Sequence, residues 1–337
     1  MAADQVSVVE PVFFPAGVAD REAAAGYVAD SGAIVAVDLD DGHVAWRTDQ
    51  ARRPLIVVGE HLVAIRASDD SPNELRVVVL DIARQGEPIL TSAPLVFPEW
   101  LSTAPEERAS FWCAGRVDRG RLLLEWKAQA RYRGGAAPSA EIRSEAERDA
   151  GGLVEVDLES GAVAPVVSRD ESPRSQPAAV RRPPLTSDDL GEPWLAGDRV
   201  VGMIWEGDAE QTLLLETRNR STGAADAVVE LARGTGLVAR VALDGRHVFV
   251  HEEQRPAEHR SWWVFSAQTG QRVATLSFEG GSYCPVVLGE RAYYLVERNE
   301  DAVRVPKLRA RELASDRLAW ELPLGQRRTA RAPPLRQ

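Results

Sequence analysis

The chain has 337 residues, 44% of them hydrophobic, which suits either two ordinary domains or one large all-β domain. Its formal net charge of −11 argues against nonspecific binding to nucleic acid or to an anionic membrane, because phosphate groups attract basic surfaces. Cys113 and Cys284 are too few for a disulfide framework, and no apolar run approaches the length of a membrane span. The amino terminus lacks the basic region and long apolar core of a secretion signal, so we expect a soluble cytoplasmic protein.

A short turn that opens an apolar strand recurs along the chain and forms the first half of a repeat. Each copy has Gly or Asp in the turn, followed by a basic residue at the start of the strand. The copies span residues 59–65, 118–126, 197–205, 244–250 and 289–296. Their alternation of apolar and polar residues predicts strands.

The second half of the repeat is a strand, a tight turn and a further strand. Its copies span residues 33–46, 75–90, 153–167, 213–231, 262–278 and 308–324. The Asp-x-x-x-Gly sequence that ends at Gly42, and the Ser-Gly or Thr-Gly pairs that end at Gly161, Gly223 and Gly270, are typical of hairpin turns. Together the two halves make four-stranded units of roughly 45 residues, the length of one propeller blade.

The repeat predicts an all-β fold, a β-propeller of four-stranded antiparallel blades. Six blades are preferred, and seven stay possible because the early part of the first unit leaves room for irregular strands. We expect one propeller domain over residues 1–337, with blades at about 5–50, 54–97, 108–168, 193–232, 236–278 and 282–324. Two insertions, residues 133–152 and 169–193, are rich in charge, Ala, Pro and Ser, and both a functional and a passive role stay open for them.

One copy of the repeat matches a known family pattern closely. Ala36, Asp38, Gly42 and Trp46 fit the pattern A-x-D-x-x-T-G-x-x-x-W, and partial copies keep Asp157 with Gly161, the turn at Gly270, or Trp320. In these positions the chain resembles the quinoprotein-like β-propellers, whose blades carry PQQ-like repeats. The resemblance implies the propeller architecture for most of the chain.

The same resemblance bears on cofactors and partners. The quinone-dependent dehydrogenases of that superfamily hold the quinone between an adjacent Cys-Cys disulfide and a Trp, beside a calcium ion. This sequence has no Cys-Cys pair, so we expect no cofactor. Other relatives, an outer-membrane assembly lipoprotein scaffold and sensor domains of bacterial kinases, use the propeller to bind partners.

The segments that precede the basic turns are the predicted innermost strands, which line the central channel of a propeller. They contain the candidate ligand-binding residues Trp112, Cys113, Arg116, Trp194, Arg240, Tyr283 and Cys284. These side chains suit an aromatic pocket in which Arg orients an anionic group, and equally a structural filling of the taper between blades. His247 and His251 would lie about 13 Å apart along a strand, too far for one metal ion, so no metal site is expected.

No nucleophile elbow, P-loop or G-x-G-x-x-G motif follows a predicted strand. The sequence therefore favours a non-catalytic binding scaffold for a protein or peptide partner. The alternative is a small-molecule enzyme or ligand-binding protein acting at the channel mouth. We interpret Trp46 and Trp320 as structural residues at the contact between the first and the last blade.

Overall fold

The computed structural model describes most of the predicted strands. The described residues are 8–9, 11–20, 23–68, 71, 73–100, 109–130, 148–165, 194–196, 199–207, 210–242, 245–252, 259–279, 282–300 and 303–325. They contain 27 strands in six antiparallel sheets, three of four strands and three of five, which confirms the all-β fold class and the antiparallel sheets of a β-propeller. The blade number and the single-domain assignment stay predictions.

The first three sheets contain strands β1 to β15. Apart from β11, the strands of each sheet lie in chain order from one edge to the other. The first sheet is β2 (Val12–Phe14), β3 (Gly17–Asp20), β4 (Ala25–Asp30), β5 (Ala33–Asp38) and β6 (Val44–Thr48). The second is β7 (Arg53–Val58), β8 (His61–Ala67), β9 (Glu74–Asp81) and β10 (Glu87–Thr91), with β11 (Leu95–Val96) also paired to β9. The third is β1 (Val8–Val9), β12 (Ala109–Asp118), β13 (Arg121–Ala130), β14 (Arg148–Asp157) and β15 (Val163–Pro165).

The other three sheets each contain four strands in chain order. The fourth is β16 (Trp194–Ala196), β17 (Arg199–Glu206), β18 (Gln211–Asn219) and β19 (Ala225–Gly234). The fifth is β20 (Leu237–Val241), β21 (His247–Glu252), β22 (His259–Ser266) and β23 (Arg272–Glu279). The sixth is β24 (Ser282–Leu288), β25 (Arg291–Glu300), β26 (Val303–Glu312) and β27 (Leu318–Pro323).

The chain divides into two compact units. The first contains Met1–Val12, Gly17–Val37 and Val44–Val180, and the second contains Phe13–Ala16, Asp38–His43 and Arg181–Gln337. No helix among the described residues is long and apolar enough to cross a membrane.

The third sheet corrects one predicted boundary. Strand β14 begins at Arg148, so the last part of the predicted insertion 133–152 is a strand that pairs with β13. Gly152 lies opposite Trp126, and a Cβ atom at Gly152 would lie 2.9 Å from Trp126 Nε1. Gly152 is therefore needed for the indole of Trp126 to pack against β14. The composition of the segment around Gly152 had suggested a loop. The rest of this insertion and all of residues 169–193 lie outside the described residues.

The hairpin turns of the repeat share one backbone geometry. The amide of Gly42 donates to the carbonyl of Asp38 at 3.0 Å, and Gly161 and Gly270 make the same contact four residues back at 2.9 and 2.8 Å. Gly42 has a φ of +75°, a left-handed conformation that glycine adopts without steric cost. In the sixth sheet Asp316 takes this position with a φ of +53°.

The acidic residue of the repeat caps its own turn. Asp157 Oδ1 accepts hydrogen bonds from the backbone amides of Glu159 and Ser160 at 2.9 and 2.8 Å. Such side-chain-to-backbone bonds satisfy amides that the hairpin leaves unpaired. The amide of Ser160, followed by that of Glu159, holds the pKa of Asp157 below its ordinary value. The acid of the family pattern thus has a structural role in this turn.

We expect the contribution of Asp157 to stability to depend on pH. Because its pKa is lower in the folded chain than in the unfolded chain, the contribution is present above the unfolded pKa of about 3.9 and is lost as the pH falls through the folded value. Asp157→Ala should therefore lower the free energy of unfolding at pH 7. The difference in this free energy between the variant and the wild type should become smaller in acid. Urea unfolding across this pH range measures the effect, with Asp157→Asn as the control that keeps an acceptor. A stability difference between Asp157→Ala and the wild type that stays constant with pH would contradict this prediction.

The glycines of several described turns pack on an outer strand. In the first unit, a Cβ atom placed on Gly86 would lie 2.8 Å from the Trp46 ring. In the second unit, a Cβ atom placed on Gly42 would lie 2.6 Å from the Trp320 ring. Gly270 lies against Val229 in the same way. Trp320 thus lies against a turn of the first sheet, as the sequence predicted, whereas Trp46 lies against a turn of the second sheet and not at the predicted contact between the first and the last blade.

The turn at Asp38–His43 is held to the sixth sheet by hydrogen bonds to one carbonyl. Leu39 O accepts from Arg291 Nη1 at 2.8 Å, from Tyr293 Oη at 3.1 Å and from Trp320 Nε1 at 3.1 Å. Burial raises the pKa of Tyr293, an effect that Arg291 opposes. A raised pKa keeps the phenol protonated, and therefore a donor, at neutral pH.

Candidate functional site

Strand β12 carries three of the predicted site residues. Cys113 is buried within an apolar cluster of the first unit, whereas Trp112 and Arg116 are half-buried. Burial raises the pKa of the Cys113 thiol, and the charge of Arg53 opposes this rise. Because successive side chains point to opposite faces of a strand, Cys113 faces away from Trp112 and Arg116. Trp112 and Arg116 therefore share one face of β12, and Cys113 lies on the other.

The other predicted site residues lie in the second unit. Trp194 is buried in the core, where its Nε1 donates to the carbonyl of Gly245 at 2.9 Å. Arg240 is half-buried, and its guanidinium carbon lies 5.4 Å from the centroid of the Trp262 ring. Tyr283 and Cys284 lie on β24, and their side chains are outside the described part of the structure. That the seven candidates line one channel stays a prediction.

Arg240 borders a narrow recess in the second unit. The recess is lined by Arg240, Trp262, Phe278, Pro285 and Tyr294, so it brings Arg240 close to β24. Its free space admits about one water molecule, whereas small-molecule sites have volumes of about 300–1,000 Å³. The rings of Phe278 and Tyr294 pack with centroids 4.4 Å apart. In this conformation the recess is part of the core and is too small for a substrate.

The described residues also contain no group of three or more His, Cys, Asp or Glu side chains placed to hold a metal ion. His251 is buried, with Nδ1 2.8 Å from the carbonyl of Glu252 and its ring centroid 4.1 Å from that of Trp262. This histidine is thus packed within the aromatic core of the fifth sheet.

The fourth sheet differs in the environment of its two faces. One face carries Val201, Met203, Leu213 and Leu215, which are buried in a core shared with residues of the fifth sheet. Thr217 lies on this face as well and is also buried. This face therefore positions the sheet within the second unit.

The opposite face of the fourth sheet is open, and we call it the open face. It carries the alternate residues of β17, β18 and β19, namely Val200, Gly202, Ile204, Leu214, Glu216, Arg218, Val228 and Glu230. Ile204 is 38% exposed and Val228 is 56% exposed, while Val200 and Leu214 are partly exposed. A Cβ atom placed on Gly202 would meet nothing within 4 Å. Within the described part of the chain, the open face thus combines accessible apolar side chains with open space at Gly202.

Ion pairs accompany the apolar side chains of the open face. Arg218 Nη2 lies 2.9 Å from Glu216 Oε1, and Glu216 is the cross-strand neighbour of Val228. At the edge of the sheet, Arg233 Nη2 lies 3.1 Å from Glu230 Oε2. Exposed apolar patches that are rimmed by polar residues mark interaction sites in soluble proteins.

Sequence reasoning missed the open face because β17 and β18 contain near-continuous apolar runs. Residues 200–205 and 213–215 are apolar runs, a pattern typical of strands that are buried on both sides. The available signal was the charge at alternate positions: Glu216 and Arg218 on β18, and Glu230 on β19, share a face with Ile204. When every second residue of adjacent strands is polar, the face of the sheet that these residues share is usually exposed to solvent.

Comparisons with known proteins reveal similarity in structure only. No family model matches the chain, and no curated protein matches its sequence. Similar solved structures include a europium-containing methanol dehydrogenase, with 12% identity, a TM-score of 0.26 and coverage of 91% of this chain and 68% of that one. Hsv2 of Kluyveromyces lactis has 10% identity, a TM-score of 0.38 and coverage of 92% and 100%, in the same order. The β-propeller domain of Cps50 (Swd1) of Myceliophteria thermophila has 12% identity, a TM-score of 0.27 and coverage of 90% and 84%. At this level of similarity none of these proteins assigns a function to the chain.

Proposed function

We propose that the chain is a non-catalytic binding platform of the quinoprotein-like propeller type, and that a protein or peptide partner docks on the open face of the fourth sheet. The exposed apolar side chains of this face, above all Val228 at 56% exposure, carry the proposal. Isolated exposed apolar residues are ordinary, but Ile204, Leu214 and Val228 lie on three adjacent strands of one face.

The recess beside Arg240 does not supply a site for a small-molecule substrate. A recess that admits about one water molecule cannot enclose a metabolite, whereas a sheet face binds a partner without an enclosed cavity. Fully burying one aliphatic side chain contributes about 1.5–3 kcal/mol, so covering the exposed parts of Val228 and Ile204 contributes about half of that for each. The open face therefore suits a specific contact of moderate strength.

Val228→Lys tests the proposal because it places a charge at the most exposed apolar side chain of the open face. The tagged protein is used to capture partners from native cells, and each captured partner is purified and titrated against the wild type and the variant. We expect Val228→Lys to weaken binding by about tenfold or more, since a buried lysine costs free energy at an apolar contact. Val273→Lys is the matched control, because Val273 is 47% exposed on β23, outside the open face.

Two results would contradict the proposal. One is equal affinity of every purified partner for the wild type and for Val228→Lys. The other is a large fall in the melting temperature of Val228→Lys relative to Val273→Lys, because a surface substitution shifts stability by only about 0.5 kcal/mol. Such a fall would indicate that the chain itself covers the open face.

A further inference from the structure

The outer strand β19 differs from the outer strands of the other sheets in how its edge is protected. Proline, short length and occupied backbone groups all prevent pairing with another chain. Strands β10, β15 and β27 contain Pro88, Pro165 and Pro323, and β6 has only 5 residues. In β23 the amide of Ser277 already donates to the carboxylate of Asp316, at 2.9 Å to Oδ1. Strand β19 has 10 residues and no proline, and in the described part of the chain it pairs with β18 alone.

The middle of β19 is regular enough to template a further strand. Register shifts flank residues 227–230, which pair in order with β18 from Ala227 opposite Thr217 to Glu230 opposite Leu214. The regular stretch spans about 10 Å from the first Cα to the last. In an edge strand the backbone groups of alternate residues point away from the partner strand, so they can pair with an added chain. Val229 is covered by the turn at Gly270, whereas Val228 lies on the open face.

The side chains along this stretch define the kind of chain that fits. Val228 is the apolar centre, and the acidic Glu216 and Glu230 are its neighbours on the open face. The Arg233–Glu230 pair is well exposed, with side-chain exposures of 57% and 48%, so it is weak, and Glu230 can accept a second cation. The net charge of −11 also favours a basic partner over an acidic one.

We infer that the partner adds an extended segment to β19 as a new edge strand, and that this segment presents an apolar residue beside Val228 and a basic residue beside Glu230. Main-chain hydrogen bonds to β19 supply affinity, and the alternate side chains supply specificity. The inference rests on the proposed function and names the chemical class of the partner: a strand-forming peptide in which basic and apolar residues alternate with small polar ones.

A synthetic peptide tests this inference directly. The probe is blocked Thr-Arg-Thr-Val-Thr-Arg-Thr, which presents Arg, Val and Arg on one face in either strand direction, and its control replaces both Arg by Glu. We expect the Arg peptide to bind the wild type more tightly than the Glu peptide. Glu230→Arg should lower the affinity for the Arg peptide and raise the affinity for the Glu peptide, each by about three- to tenfold. The reason is that the substitution reverses the sign of the cross-strand charge interaction.

N-methylation distinguishes strand addition from a simple charge contact. Two versions of the Arg peptide are methylated on the backbone nitrogens of either the odd or the even residues. Strand addition predicts that one version loses binding and the other keeps most of it, because only alternate amides face β19. Equal affinity of the two versions, or no binding of the parent peptide, overturns the inference. If the peptide fails while a captured partner still depends on Val228, the proposed function stands and only the strand-addition mode is wrong.

Discussion

Replacing Trp320 by alanine is expected to lower the free energy of unfolding by about 3–5 kcal/mol, the usual cost of removing a buried aromatic side chain. Trp320 is only 8% exposed, and its ring packs against Gly42 and, at a centroid distance of 5.8 Å, against Tyr293. The substitution removes these contacts together with the hydrogen bond from Nε1 to the carbonyl of Leu39. Urea unfolding followed by circular dichroism measures the loss.

Trp320→Phe is the control for this prediction, because it keeps an aromatic ring and removes the indole donor. Leu39 O retains the hydrogen bonds from Arg291 and Tyr293, so the variant should lose less stability than Trp320→Ala. If Trp320→Ala cost no more than about 1 kcal/mol, the contact between the turn and β27 would not stabilise the fold as described.

Gly42→Ala is expected to have the second largest effect, about 2–4 kcal/mol. A left-handed φ of +75° costs an alanine about 1 kcal/mol, and its Cβ would lie 2.6 Å from Trp320 Cδ2, which adds an overpacking cost of about 1–3 kcal/mol. Gly32→Ala is the matched control, because Gly32 has a φ of +82° but a Cβ there would meet nothing within 4 Å.

The difference between these two alanine variants isolates the packing of the turn on Trp320. Both have the same backbone strain, so Gly32→Ala should lose only about 1 kcal/mol. Equal losses in urea unfolding would mean that backbone strain alone explains the requirement for glycine. In that case the close approach of the turn to Trp320 would contribute nothing to stability.

The strands and turns could be predicted from the sequence because their causes are local. Alternating apolar residues defined the strands, and Asp157 with Gly161 marked a turn whose hydrogen bonds join residues at most four apart. The start of β14 could not be predicted in this way. Gly151 and Gly152 have the composition of a loop, and only the contact with Trp126 on β13 explains why they lie in a strand.

The candidate site was harder to predict because period-two alternation defines two faces without saying which one meets solvent. The sequence placed Cys113 and Trp194 at a channel, and the structure shows both of them buried in apolar clusters. The charges of Glu216 and Glu230 were the only sign that Ile204 and Val228 share an exposed face, and apolar residues in consecutive strands usually face a core. Burial depends on what packs against a sheet, which is a property of the fold.

The open face of the fourth sheet is the proposed binding surface, and amide hydrogen exchange with a purified partner tests it most directly. Exchange is measured for the wild type with and without a saturating partner, and the amides of β19 are compared with those of β23. We predict slower exchange within residues 225–230 and unchanged exchange in β23, because a bound partner covers the open face and the edge of β19. Protection of β23 or of the residues around Arg240, with no change in β19, would contradict the assignment of the binding surface.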